Sequence, residues 1–198
     1  MNISKLFELQ RQLDEHIVRE HPPKEGEDRL AKKILALQVE LGELANEWRG
    51  FKFWSYDQEP RIEKRTYKTC PSCNGEYDVD SCWMCGNRGQ VAVKIINPLL
   101  EEYLDCLRFI LSIGLELNFT DIDVWKFKEI NITNQFIECL GAVYSLHVQK
   151  KVSGEVPRIM YEHLLAYLIG LGKMLGFTWE QIEEAYFDKV NNWGTKNE

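Results

Sequence analysis

Two sets of side chains in this sequence are spaced for chemistry that ordinary surface or core positions do not need. The first set is acidic: Glu40 and Glu43 stand three apart, Glu47 follows four later, and Glu102 and Asp105 repeat the spacing of three much further on. On helices, such pairs share a face one turn apart. Glu40, Glu43 and Glu47 each precede an apolar residue (Leu41, Leu44, Trp48), so their stripe runs about 100° round the helix from the buried one. Carboxylates beside a core seam repel one another and resist desolvation, which calls for a cation or a basic partner. Oxygen-only ligands of high charge suit Mg²⁺ or Mn²⁺ rather than zinc, with coordination positions left for water and substrate phosphates. Taken alone the pairs are a weak signal, because the chain has 31 Asp and Glu among 198 residues and most such pairs are solvated faces.

The second set is Cys70, Cys73, Cys82 and Cys85, two CxxC knuckles separated by residues 74–81. A tetrahedral Cys₄ zinc site uses this spacing. Gly75, Gly86 and Gly89 follow the knuckles, where tight turns let backbone N–H groups point at thiolate sulfurs. Two disulfides are the alternative, and they belong to an oxidising compartment. About 40 residues around these cysteines are too few for a sufficient core of their own, so the zinc expected here is structural.

The elements that must position these groups are mostly helices. Leu30, Ile34, Leu37, Leu41, Leu44 and Trp48 recur at alternating spacings of four and three, predicting an amphipathic helix that ends near Gly50. Leu100, Leu104, Leu107 and Leu111 make a second seam within residues 97–117. Packed seam to seam, the two helices would face four carboxylates across a shallow cleft. Before them, residues 4–20 form a first helix, with Ser4 as N-cap and Phe7, Gln10, Leu13 and Ile17 on one face. Strands are expected at 61–68 and 90–96, closing a small β-ribbon around the knuckles. After a connector containing Trp125 and Phe127, a helix from about 133 to 149 places Phe136, Leu140, Val143, Tyr144 and His147 on one side. Pro157 suits the first turn of the next helix, Gly176 its stop, and Thr178-Trp-Glu-Gln181 a capping box for the last. The fold class is all-α, a helical bundle with a small Cys₄ zinc-ribbon-like β insertion. Residues 1–55 and 95–198 form the main domain and 56–94 an inserted zinc-binding subdomain.

Composition bounds the rest. A net charge of −7 argues against a general nucleic-acid binder. No apolar run approaches the ~20 residues of a membrane span, and the N-terminus lacks a signal peptide's apolar core. The expected location is the cytoplasm.

With these residues in view the chain resembles a known family. Glu40-Leu-Gly-Glu43, then Asn46 to Ser55 (NEWRGFKFWS), then Glu102-Tyr-Leu-Asp105 with Phe109 a turn on, look like the dimeric all-α dUTPases of the MazG-like nucleoside triphosphate pyrophosphatase superfamily, phage-type members included. The resemblance covers residues 1–55 and 95–117 well, the C-terminal helix in part, and 56–94 not at all. It implies a homodimer that hydrolyses dUTP to dUMP and pyrophosphate with two or more Mg²⁺ held by Glu40, Glu43, Glu102 and Asp105. The attacking water would be activated by metal, with Glu40 or Glu43 as base. It further implies Gln10 reading uracil, Lys52 near phosphates, Trp54 walling the pocket, Phe109 against the deoxyribose, and Tyr186, Lys189 and Asn192 closing the site. Three departures bear on substrate choice: Asp14 stands near where the family often has Asn, Arg108 where it has His, and Lys196 where an Arg is expected. Two readings compete with dUTP hydrolysis: a pyrophosphatase for dCTP or a broader set of nucleotides, and a non-enzymatic zinc-knuckle interaction protein.

Overall fold

The computed structural model describes residues 3–76 and 82–192. Six helices occur among them: α1 (Ile3–Glu20), α2 (Arg29–Trp48), α3 (Pro98–Glu116), α4 (Ile132–Ser153), α5 (Arg158–Met174) and α6 (Trp179–Asn191). Two strands, β1 (Lys64–Thr69) and β2 (Gln90–Ile96), lie between α2 and α3. The fold is all-α with a small β insertion, as the periodicity predicts.

The central pair is α2 and α3. Asp28 caps α2 by accepting from the Ala31 N–H, and Leu30, Ile34, Leu37, Leu41 and Leu44 are buried as the stripe requires. The helix stops where Arg49 takes a left-handed φ of 65° and its N–H returns to the Ala45 carbonyl. Asn97 caps α3, and Pro98 occupies the first turn, where a missing N–H is harmless. Leu104, Leu107 and Leu111 are buried along with Leu99, Tyr103 and Ile110, whereas Leu100 is only half-buried. The pair is antiparallel: Lys33 near the start of α2 reaches Glu116 at the end of α3, while Glu40 and Glu43 meet Glu102 near its beginning.

Reciprocal tyrosines lock α3 to α5. Tyr161 of α5 donates to the Ile110 carbonyl over Gly114, and Tyr103 of α3 donates to the Leu168 carbonyl over Gly172. A Cβ at either glycine would overlap the tyrosine ring, so the close approach depends on its absence. Gln135, wholly buried, donates to the Phe127 and Tyr167 carbonyls and accepts from the Glu129 N–H, which fastens the 118–131 connector to the bundle.

Three expectations about the helices are corrected. Helix α1 already includes Ile3, whose side chain is buried in the core, so Ser4 lies inside the helix and is not its cap. Pro157 is the N-cap of α5 rather than a residue of its first turn. On α4 the buried residues are Phe136, Cys139, Val143 and Leu146, while Leu140 and Tyr144 face outward together with Ile137, Val148 and Val152. That helix is apolar on nearly every side, so periodicity alone cannot choose its inner face. The Thr178–Gln181 capping box forms as expected.

Strands β1 and β2 pair antiparallel with an irregularity between Thr66 and Tyr67, and β1 begins at Lys64 rather than at 61. Most of the ribbon is exposed. At its root Arg61 is bonded through its backbone to both helices, donating to the Glu47 carbonyl and accepting from the Leu99 N–H. At its far end the four cysteines form a buried cluster separate from the helical core. No described helix is long and apolar enough to cross a membrane.

Candidate active site

The α2–α3 packing brings Glu40, Glu43 and Glu102 together, with one carboxylate oxygen of each within 4.8 Å of the others. The cost of crowding shows in their protonation. Glu102 is pushed up to about 7, first by burial and then by the charges of Asp105, Glu43 and Glu40. Glu40 is raised as well, by burial, Asp105 and Glu43 in that order. The field that holds a proton on Glu102 attracts a divalent cation in the same way. Glu47, next on the stripe after Glu43, has its Oε2 buried without a hydrogen-bond partner. Three crowded carboxylates, with a further orphaned one a turn along the same stripe, fit a cation of the hard, oxygen-preferring kind.

Asp105, the fourth acid expected here, is not within that radius of all three. The Lys189 ammonium of α6 binds its Oδ2, and the Arg108 Nε lies 3.3 Å from its Oδ1. Lys189 also donates to the Glu101 carbonyl at 3.2 Å, so α6 is clamped across the start of α3. Tyr186, one turn earlier, is buried and donates to Gln10 Oε1 of α1. Tyr186 and Lys189 thus serve inward contacts. Asn192 is exposed at the C-cap of α6 and donates to the Asp188 carbonyl.

The acidic stripes continue away from the cluster as the walls of a cleft. Lys33 and Ala36 precede Glu40 on α2; Phe109, Ser112 and Glu116 follow Asp105 on α3; Gln10 and Asp14 of α1 close the side. The space is about 440 Å³. Asp14 lines it and accepts from Gln10 Nε2 at 2.6 Å and from the Ser112 hydroxyl at 2.5 Å. Lys33 Nζ is 3.7 Å from the same carboxylate and 2.6 Å from Glu116. The Arg108 guanidinium lies 4.2 Å from the Phe109 ring centroid. Seven residues of helix separate Lys33 from Glu40, a rise of about 10 Å.

Lys52 and Trp54 lie outside the lining of this cleft. Trp54 packs edge-on against Phe51 and Phe53 and is largely exposed, and Lys52 holds its ammonium 5.6 Å from the Phe51 ring. Lys196 falls outside the described residues. Sequence reasoning missed Lys33 and Ser112. The signal existed, since both extend the acidic stripes at spacings of three and four, but nothing in their residue types announced it.

At the ribbon's end the Cys70 and Cys82 sulfurs stand 3.7 Å apart, as do those of Cys73 and Cys85, and all four lie within 4.8 Å of one another. A disulfide would bring two sulfurs to about 2.05 Å. Four sulfurs about 2.3 Å from a tetrahedral zinc are separated by about 3.8 Å, so the cluster is shaped to hold that ion. Turns with left-handed Gly75, Gly86 and Gly89 surround it. Backbone N–H groups, that of Cys85 foremost, pull the Cys82 thiol down to about 6. Cys106 and Cys139 are separate, wholly buried thiols of the helical core.

The sequence profile of a family described as dUTPase matches residues 2–67 and 91–196, most of the chain, and passes over the segment that carries all four knuckle cysteines. No curated protein and no solved structure matches the chain.

Proposed function

The chain belongs to the dUTPase family and is a dUTP diphosphatase, and from that premise we propose that the α2–α3 groove is its active site, with phosphates at the carboxylates and the nucleoside in the cleft. The observation that carries this reading is the gathering of Glu40, Glu43 and Glu102 from two distant helices at one end of that groove. Glu40, Glu43, Glu102 and Asp105 would hold two or more Mg²⁺ ions. Bound there, the cations would offset the charge of the triphosphate and acidify the attacking water.

The chain's own groups do the rest. Glu40 or Glu43 takes the proton from that water as its oxygen attacks the α-phosphorus. The bond from the α-phosphorus to the bridging oxygen breaks, leaving dUMP and pyrophosphate. Lys189 and Arg108 hold Asp105 in place. Phe109 offers an apolar face to the deoxyribose, where a 2′-hydroxyl would be crowded, and Tyr186 fixes Gln10 at the cleft wall. Lys52, Trp54 and Asn192 complete the site from the second subunit of a homodimer or after closure on substrate. The exposed apolar stripe of α4, Ile137 to Val152, supports such a dimer, since a monomer would leave it in water.

The Cys₄ cluster holds a structural Zn²⁺ in an inserted subdomain of residues 56–94. Its support is the geometry of the sulfurs and the gap that the family match leaves at 68–90.

Pyrophosphate release from dUTP, followed with added Mg²⁺ and again after exhaustive chelation, tests the site. Turnover should vanish on chelation and return with Mg²⁺; undiminished turnover in the chelated sample would remove the carboxylates from the mechanism.

A further inference from the structure

The ribbon takes no part in the groove, and its charge is unlike that of the rest of the chain. Residues 61–96 hold six Lys and Arg against four Asp and Glu, whereas the remainder holds 18 against 27. The two strands carry Lys64, Arg65, Lys68 and Lys94 and no acid. The negative net charge thus belongs to the bundle, whose surface repels a phosphate chain, and not to this arm.

Register sets where the lysines stand. Lys64, Thr66 and Lys68 alternate onto one face of β1, and Lys94 of β2 is the partner of Thr66. Cross-strand partners share a face, so the three ammonium groups form a row with steps of about 7 Å along the ribbon. All three are exposed, and none has an ion-pair partner among the described residues. Arg65, on the opposite face, is bonded to Glu63. Val91 is the partner of Lys68 and packs against the cysteine cluster, so the row leads onto the knuckle. There Trp83, between the buried Cys82 and Cys85, is 82% exposed and has no hydrogen-bond or ring partner among the described residues. An indole so placed covers little of the metal cage, so shielding the cage does not explain it. Lysines on an exposed ribbon also blunt its edges against pairing with other chains. A bare indole at the tip, with the half-exposed Met84 beside it, works against that protection and calls for a partner of its own.

We propose that the lysine face of the ribbon and Trp83 together bind single-stranded nucleic acid, with phosphates along Lys64, Lys94 and Lys68 and a base stacked on the indole. A row of unpaired ammonium groups is complementary to a chain of phosphates, and an indole face accepts any unpaired base. A duplex keeps its base faces stacked inside, so it would meet the lysines and leave Trp83 idle. Binding of this kind carries no sequence preference and is independent of what the groove holds.

The test uses the full-length, zinc-loaded protein and a fluorescein-labelled oligothymidylate of about 20 nucleotides, followed by fluorescence anisotropy in about 50 mM salt without dUTP. The expected Kd is about 10⁻⁶–10⁻⁴ M, and the logarithm of affinity should fall against that of salt with a slope of about −2, as three phosphate contacts on a single strand require. Trp83→Ala should weaken binding about tenfold. The combined Lys64→Gln, Lys68→Gln and Lys94→Gln protein should bind at least as weakly and lose the salt dependence. Both variants should keep their zinc and their dUTP turnover, since every altered side chain is exposed and outside the groove. Binding of the annealed duplex should not respond to Trp83→Ala. An anisotropy unchanged up to about 100 µM protein, or binding untouched by both sets of substitutions, overturns the proposal. Sensitivity to the lysines without sensitivity to Trp83→Ala, or equal binding of labelled poly-glutamate, would reduce the face to a general charge patch and overturns it too. A mass in light scattering that falls with Trp83→Ala, with no oligonucleotide bound, would give the face to a second copy of the chain instead.

Discussion

The carboxylate cluster and the cysteine cluster are both suited to metal ions, yet they are built in opposite ways. Glu40, Glu43 and Glu102 project from two long helices whose leucine seams fold them together, and Glu43 stays exposed. Their scaffold needs no ion. Cys70, Cys73, Cys82 and Cys85 are buried in a pair of turns at the end of an exposed ribbon, with Val91 packed against them. There a bound ion would itself be the core. An open site on a self-sufficient scaffold suits catalysis; a closed one whose surroundings cannot fold without metal suits structure.

That contrast can be broken most decisively at Glu43. The Glu43→Gln enzyme should lose about 10²–10⁴-fold in dUTP turnover while zinc content and melting temperature hold. A variant that also sheds zinc or melts early would show that the two regions are one cooperative unit.

The next largest effect lies at the knuckle. Replacing Cys70 and Cys73 with Ser should take bound zinc from one per chain to none by elemental analysis. Hydrogen-exchange protection across β1 and β2 should go with it, while the helical melting transition survives. A collapse of the whole chain would sink the distinction from the other side.

Titration separates the sites more finely. The folded value of Glu102, about 7, exceeds its ordinary 4.5, so between these values the folded protein holds a proton that the unfolded chain has released. Stability from this group is full below about 4.5 and is lost as pH rises through 7. The metal-free protein should therefore melt lower at pH 8 than at pH 5, Glu102→Gln should flatten that slope, and Mg²⁺ should bind more tightly at the higher pH. A slope unchanged by the substitution would place the strain elsewhere.

The smallest effect concerns the clamp from α6. Lys189→Met removes the ammonium from a half-buried Asp105 and should lower unfolding stability in urea by about 1–3 kcal/mol. Zinc binding should not change.

Much of this architecture is legible in the sequence because it depends on local spacing. The stripe from Leu30 to Leu44 fixes α2, the acids one position away fix the edge of its buried face, and CxxC pairs specify a four-sulfur cage. What escapes is complementarity between distant segments. Nothing near Gly114 announces Tyr161, nothing near Gln135 reveals three backbone partners, and Lys33 looks like any solvated lysine until α1 and α3 are packed beside it. The inner face of α4 differs from the expected one because apolar residues on several sides leave periodicity nothing to choose between. Lys52 and Trp54, placed in the site by family likeness, lie outside the cleft lining.

The backbone bonds at Arg61 carry one more consequence. They staple the departing arm of the ribbon to both the end of α2 and the start of α3. The long sequence separation between Glu43 and Glu102 is thereby reduced, for the bundle, to a short bridge. Loop entropy grows only logarithmically with length, and here the excursion closes on itself before it reaches the helices. Material added or trimmed beyond that staple would leave the two acidic helices in register.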